Sequence, residues 1–274
     1  MKKLGLALGA GGARGLAHVG FLTALEEEGI KPDFITGCSM GSVIGGAYAA
    51  GVSLNTMRHI VSHLRIVDLI TPAKSKGGLF GTKKMRELLE RFIGKKQIEN
   101  LKIPFRCIAV DMLSQEIVEF SKGDLIEGII ASSSIPALFH PMEKDGKRLI
   151  DGGVFERVPA HRVKEMGADV IVAVDVLGDV GTTEEIPGTM GILLHTFDLM
   201  GNHHTRAYHE KYGKEIDFWL DPHLGNMSQY NLKDGHFAME QGYALGKEYA
   251  PKIKEKLKNG RIHKKLSEIK KKEE

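Results

Sequence analysis

The chain has 274 residues, 42% of them hydrophobic, and a formal net charge of +3, enough for one large α/β domain with a sizeable core. Its two cysteines, Cys38 and Cys107, exclude a disulfide framework and a Cys-rich zinc site and fit a reducing cytoplasm. No run of 18 apolar residues is available to span a membrane, and no internal repeat or linker tract divides the chain.

In chain order, Lys2 and Lys3 before Leu4–Leu8 imitate a secretory signal, but the apolar run breaks at Gly9 and Arg14 arrives too early. Leu4–Leu8 is predicted as a strand. A glycine-rich loop follows, then a helix with Leu16, Val19, Leu22 and Leu25 at helical spacing, stopped by Gly29. A strand over 33–36 leads into Gly37-Cys38-Ser39-Met40-Gly41 and a small-residue helix to Ala50. Ser53 and Thr82 are predicted N-caps of helices reaching about Leu64 and Phe92, with a loop or lid over 66–81 between them. Strands over 103–112 and 116–120 precede a helix that begins at Asp124 and stops before Pro136. A short strand at 147–150, a helix near 159–166 and a Val/Ile-rich buried strand over 169–176 come next. A long helix over 188–212, with an apolar stripe read as core packing, a strand over 216–220 and a helix over 234–258 complete the chain. This alternation predicts a three-layer α/β/α fold with a mainly parallel central sheet. The domain is expected over 1–250. Residues 251–274 read as a basic helix end or tail, with ten Lys or Arg from Lys252 onward against four Glu.

Three segments carry chemistry. Gly37, Ser39 and Gly41 form Gly-x-Ser-x-Gly between a strand and a helix, where a nucleophilic serine must project from a turn too tight for neighbouring side chains. The following helix N-terminus faces developing negative charge. Gly9-Ala10-Gly11-Gly12-Ala13-Arg14-Gly15, at the end of the first strand, exposes backbone amides that could hold an oxyanion. A dinucleotide fingerprint would need glycine where Arg14 stands. Asp151-Gly152-Gly153 places an acid at a strand end.

Together these segments resemble the patatin-like phospholipase family, which includes plant storage acyl hydrolases, bacterial toxins and the esterase domain of neuropathy target esterase. The family's oxyanion loop, containing Gly-x-Arg/Lys-Gly, is matched by Gly11, Gly12, Ala13, Arg14 and Gly15. Its nucleophile falls on Ser39, its acid on Asp151, and its Ala-Ser-x-Ser-x-Pro segment, which borders the active site, on Ala131 to Pro136. The resemblance runs from about Leu4 to Val176, and more loosely to about Tyr249. Ala10 stands where glycine is common, and Cys38 fills the variable place before Ser39.

The resemblance implies a serine acyl hydrolase that cleaves carboxylic esters of lipids or phospholipids through a Ser39–Asp151 dyad and an acyl-enzyme. It implies no cofactor, no metal and no nucleic-acid partner. The expected site is cytoplasmic, with any membrane contact peripheral at the inner surface. Alternatives are an esterase or thioesterase for small soluble acyl substrates, and a catalytically idle regulatory protein on the same scaffold. Oligomeric state is left open. The histidines have structural readings: His18 as a satisfied core group, His161 at a helix start away from the acid, and His203, His204 and His209 on a surface helix face. For Arg14, steering a phosphate headgroup and bracing the loop stand equal.

Overall fold

The computed structural model describes residues 2–72, 77–178 and 188–273, with backbone only at 66, 190 and 259–273. The elements in order are β1 (Leu4–Leu8), α1 (Ala17–Glu27), β2 (Phe34–Gly37), α2 (Met40–Ala49), α3 (Leu54–His63), β3 (Thr71–Pro72), β4 (Phe80–Gly81), α4 (Lys83–Ile93), β5 (Phe105–Asp111), β6 (Glu116–Phe120), α5 (Leu125–Ser132), β7 (Met142–Lys144), β8 (Lys147–Asp151), α6 (Ala160–Glu165), β9 (Val170–Val174), α7 (Gly188–Tyr212), β10 (Phe218–Leu220) and α8 (Gly235–Glu273). Among the described residues no helix is long and apolar enough to cross a membrane. The basic side chains expected in the tail beyond Lys258 lie outside the described residues.

The main sheet has the order β10-β9-β1-β2-β5-β8-β7, with β6 also on β5. It is mixed, with mostly parallel strands: β10, β9, β1, β2 and β5 run together, whereas β6, β7 and β8 pair antiparallel. Every residue of β1 and β9 is buried, as expected for strands covered on both faces. Successive side chains of a strand point to opposite faces. Leu4, Leu6 and Leu8 accordingly join the large core beneath α1, α2, α5 and α8, while Ala7 joins a smaller core with Val163 of α6 and Ala173. The result is the expected layered α/β/α arrangement.

Close helix packing has a specific cause. A methyl group on Gly20 of α1 would collide with the Met239 carbonyl of α8, and one on Gly242 of α8 with the Ala17 carbonyl of α1. Small residues on both helices let the backbones touch.

Two local expectations change. Ser53 caps α3, accepting a 3.1 Å hydrogen bond from the Thr56 amide, but the Thr82 hydroxyl makes no cap bond. Thr82 sits at φ −96°, ψ 8°, away from the extended geometry an N-cap needs. Within the expected loop or lid over 66–81, β3 and β4 form a two-stranded antiparallel ribbon; residues 73–76 of that segment lie outside the described residues.

β5 decides where the site falls. One of its edges holds β6 over Cys107–Asp111. The other is shared, with β2 pairing up to Gly37↔Cys107 in parallel and β8 pairing from Asp151↔Ala109 in the opposite sense. The C-terminal ends of β2 and β8 therefore meet head to head, two residues apart along β5. Residues just beyond these two ends must be neighbours.

Candidate active site

Ser39 and Asp151 are those neighbours. Ser39 lies between β2 and α2 with φ 51°, ψ −123°, a conformation that costs a non-glycine residue of order 1–3 kcal/mol and persists only under tight packing. The packing comes from its flanks. A methyl group on Gly37 would stand 2.5 Å from the Gly41 carbonyl oxygen, and one on Gly41 would run into the Leu8 carbonyl. The Ser39 amide donates to Ser132 Oγ at 2.9 Å, and the Ser42 hydroxyl to the Ser39 carbonyl at 2.6 Å.

Asp151 is 6% exposed and Ser39 4%. The Asp151 amide donates to the Ser134 carbonyl at 2.9 Å. The segment from Ser132 to Ser134 thus ties both residues, which is the bordering role expected of it. Asp151 Oδ1 accepts from the Gly153 amide at 2.8 Å and the Cys38 thiol at 3.7 Å. Burial lifts the carboxyl from its ordinary value to about 6, and contacts with the Ser39 hydroxyl, the Gly153 amide and the Cys38 thiol limit the rise. Cys38 is fully buried, and burial pushes its thiol pKa well up, so it stays a donor. The variable place that Cys38 fills before Ser39 carries no signal of this contact with Asp151, which depends on the meeting of β2 and β8.

The glycine-rich loop covers Ser39 from β1, and its donors are fewer than the motif suggests. The Ala13 amide donates to the Gln229 carbonyl at 2.8 Å and the Arg14 amide to the Gly11 carbonyl at 3.0 Å. Gly15 lies inside the 3-10 turn Gly12–Leu16 and leaves room for the Met40 side chain, 2.6 Å from where its own methyl would stand. Among the described residues, the Gly11 and Gly12 amides have no protein acceptor, and neither has the Met40 amide at the start of α2. Met40 was not singled out from sequence, although the residue after a nucleophile commonly supplies such a donor. Gly12 has φ 51° and packs on the Gln229 carbonyl, so a side chain there is excluded twice over.

Arg14 braces the loop. It is 1% exposed, with Nε donating to the Val176 carbonyl at 2.6 Å and Nη1 to the carbonyls of Gly225 and Met227 at 2.8 and 3.0 Å. Buried and engaged by three carbonyls, it is not placed to steer a headgroup. His18 Nε2 lies 2.9 Å from the Gly9 carbonyl, and burial lowers its pKa to about 4, so the ring is neutral and donates there. His161 bonds Glu215 at 2.9 Å and stacks on Tyr212. His203 is exposed, His204 stacks on Phe155 and His209 meets Trp219 edge-on.

Two cavities meet at Ser39. One, of about 290 Å³, is lined almost wholly by apolar side chains, including Val43, Met57, Leu89, Phe92 and Leu138. The other, of about 80 Å³, holds Asp151, Arg157, Asp198 and Tyr230. α7 walls both through Leu194. Its apolar residues are therefore not simple core packing: Leu194 is buried at the cavities, while Ile192, Leu199 and Met200 are exposed.

The sequence pattern of patatin-like phospholipases matches residues 6–164. An uncharacterized NTE family protein of Mycobacterium tuberculosis is 38% identical over 179 residues, covering 64% of this chain and 49% of that protein. Lysophospholipase nte1 of Neurospora crassa is 36% identical over 184 residues, covering 64% of this chain but 12% of its own length. The chain thus spans about half of the mycobacterial relative. VipD from Legionella pneumophila shares the fold, with a TM-score of 0.56 at 13% identity over 92% of this chain and 67% of VipD. By the pattern matched across more than half of its length and by the fold that carries it, the chain belongs to the patatin-like phospholipase family of lipid acyl hydrolases.

Proposed function

We propose that the chain hydrolyses carboxylic esters of lipids through an acyl-enzyme on Ser39. The observation that carries this is the apolar cavity of about 290 Å³ ending at a buried serine beside a buried carboxylate. An acyl chain enters the cavity and its ester carbonyl stops at Ser39. Asp151 Oδ1 already accepts two hydrogen bonds, which leaves Oδ2 to take the serine proton as Oγ attacks. The amides of Gly11, Gly12 and Met40, with the N-terminus of α2, receive the oxyanion. Asp151 then returns the proton to the departing alcohol, and water repeats the sequence to release the fatty acid and restore Ser39. A carboxyl lifted to about 6 is a stronger base than an ordinary aspartate and is still ionised near neutral pH.

The test is a mass-spectrometric comparison of lipid and acyl-ester classes incubated with the protein and with Ser39→Ala, beside labelling by a fluorophosphonate probe. Loss of long-chain esters with the wild type only, together with Ser39-dependent labelling, supports the reading. Turnover confined to short soluble esters favours the small-ester alternative, and no labelling and no turnover the idle scaffold.

A further inference from the structure

An ester has two sides, and the apolar cavity accounts for one. The other side must lie where Asp151 can hand its proton to the departing oxygen, and Asp151 lines only the second, smaller cavity. That cavity carries polar groups whose capacity the protein leaves unused. Asp198 of α7 receives the Gln229 side-chain amide at 2.7 Å and the Tyr230 hydroxyl at 3.5 Å, both on Oδ1. Its Oδ2 accepts no hydrogen bond among the described residues, with His195 and Arg157 as its charged neighbours. Arg157, 6% exposed, gives Nη2 to Asp175 at 2.9 Å and Nη1 to Asn202 at 2.5 Å. Its Nε is buried without an acceptor and closed to the cavity, so the free acceptor there is Asp198 Oδ2.

Resting on the hydrolase reading above, we infer that this second cavity is the alcohol subsite, built for a neutral, hydroxyl-bearing leaving group of the glycerol type. Asp198 Oδ2 accepts the hydroxyl beside the scissile ester. A phosphate does not suit the cavity itself. Arg157 is already neutralised by Asp175, and the carboxylates of Asp151 and Asp198 share the lining. Asp198 is therefore a specificity residue for a neutral alcohol with a free hydroxyl next to the ester, as in a monoacylglycerol.

The experiment compares kcat/KM for three esters of one fatty acid: the 1-monoacylglycerol, the 1,3-propanediol monoester that lacks only the C2 hydroxyl, and the 1-acylglycerol 3-phosphate. The wild type should prefer the monoacylglycerol over the propanediol ester by about 10-fold or more, as expected when a site built to bind a hydroxyl meets a substrate without one. It should not prefer the phosphate. In Asp198→Asn the hydroxyl preference should collapse toward unity, a ratio that general loss of activity would not change. A wild type that cleaves both neutral esters equally, or prefers the phosphate about 10-fold, overturns the subsite while leaving the hydrolase reading intact. Failure to cleave any ester overturns both. The wild-type ratios stand whether or not the variant folds.

Discussion

The Cys38 thiol lies 3.7 Å from Asp151 Oδ1, on the residue directly before Ser39. One elbow thus carries the proposed nucleophile and a donor to its proposed base, because consecutive residues at the end of β2 face the end of β8. The thiol lowers the pKa of a carboxyl that burial raises. Cys38→Ala should shift the acid limb of the kcat/KM profile to higher pH, since the free-enzyme profile reports the base, and Cys38→Ser should move it back. An inflection unchanged in both variants would leave Cys38 a packing residue.

Gly12→Val should lower kcat by about 10²-fold or more, the usual loss for one oxyanion donor, because its side chain meets the Gln229 carbonyl at a left-handed φ. Steady-state kinetics on a variant with a native circular dichroism spectrum checks this. A rise in KM with kcat intact would place the loop outside transition-state stabilisation.

Arg14→Leu removes the donor to the buried Val176 carbonyl and to the partly buried carbonyls of Gly225 and Met227, and unpairing the buried one costs about 1–3 kcal/mol. A clear fall in Tm is expected, with no change in the ratio of rates on anionic and neutral esters. Altered headgroup preference at native Tm would restore the steering role.

Asp151→Asn bears on stability as well as rate. The folded carboxyl is raised to about 6 from an unfolded value near 4. Its contribution is therefore most favourable below pH 4 and declines as pH rises through 6, by about 3 kcal/mol in all. Asn carries no such cost, so the variant should melt above the wild type at pH 8, with the gap closing toward pH 4. Thermal melts across that range check it, and equal Tm at pH 8 would deny the desolvation of Asp151.

How much of this was legible follows from where each signal resides. The elbow and the glycine loop are local constraints: no side chain fits at Gly37, Gly41 or Gly12, so the sequence shows glycine there. Strands β1 and β9 announce themselves because burial on both faces admits only apolar residues. β7, three residues long and partly polar, gives no period to read. The Cys38–Asp151 contact and the polar cavity at Asp198 depend on long-range register, since β2 and β8 share one edge of β5 and α7 crosses the result. The candidate oxyanion donors narrow for the same reason: the Ala13 amide is claimed by Gln229, far along the chain.

The central claim is that Ser39 and Asp151 act as one unit without a histidine, and the most direct measurement is kcat/KM on a long-chain monoacyl ester for Ser39→Ala, Asp151→Asn, their double variant, His18→Gln and His161→Gln. Each dyad variant should lose at least about 10³-fold, and the double variant no more than the worse single, because groups acting together are not additive. Both histidine variants should keep at least about a tenth of the activity, a barrier change within about 1.4 kcal/mol. An active Asp151→Asn beside a folded histidine variant as dead as Ser39→Ala would contradict the dyad.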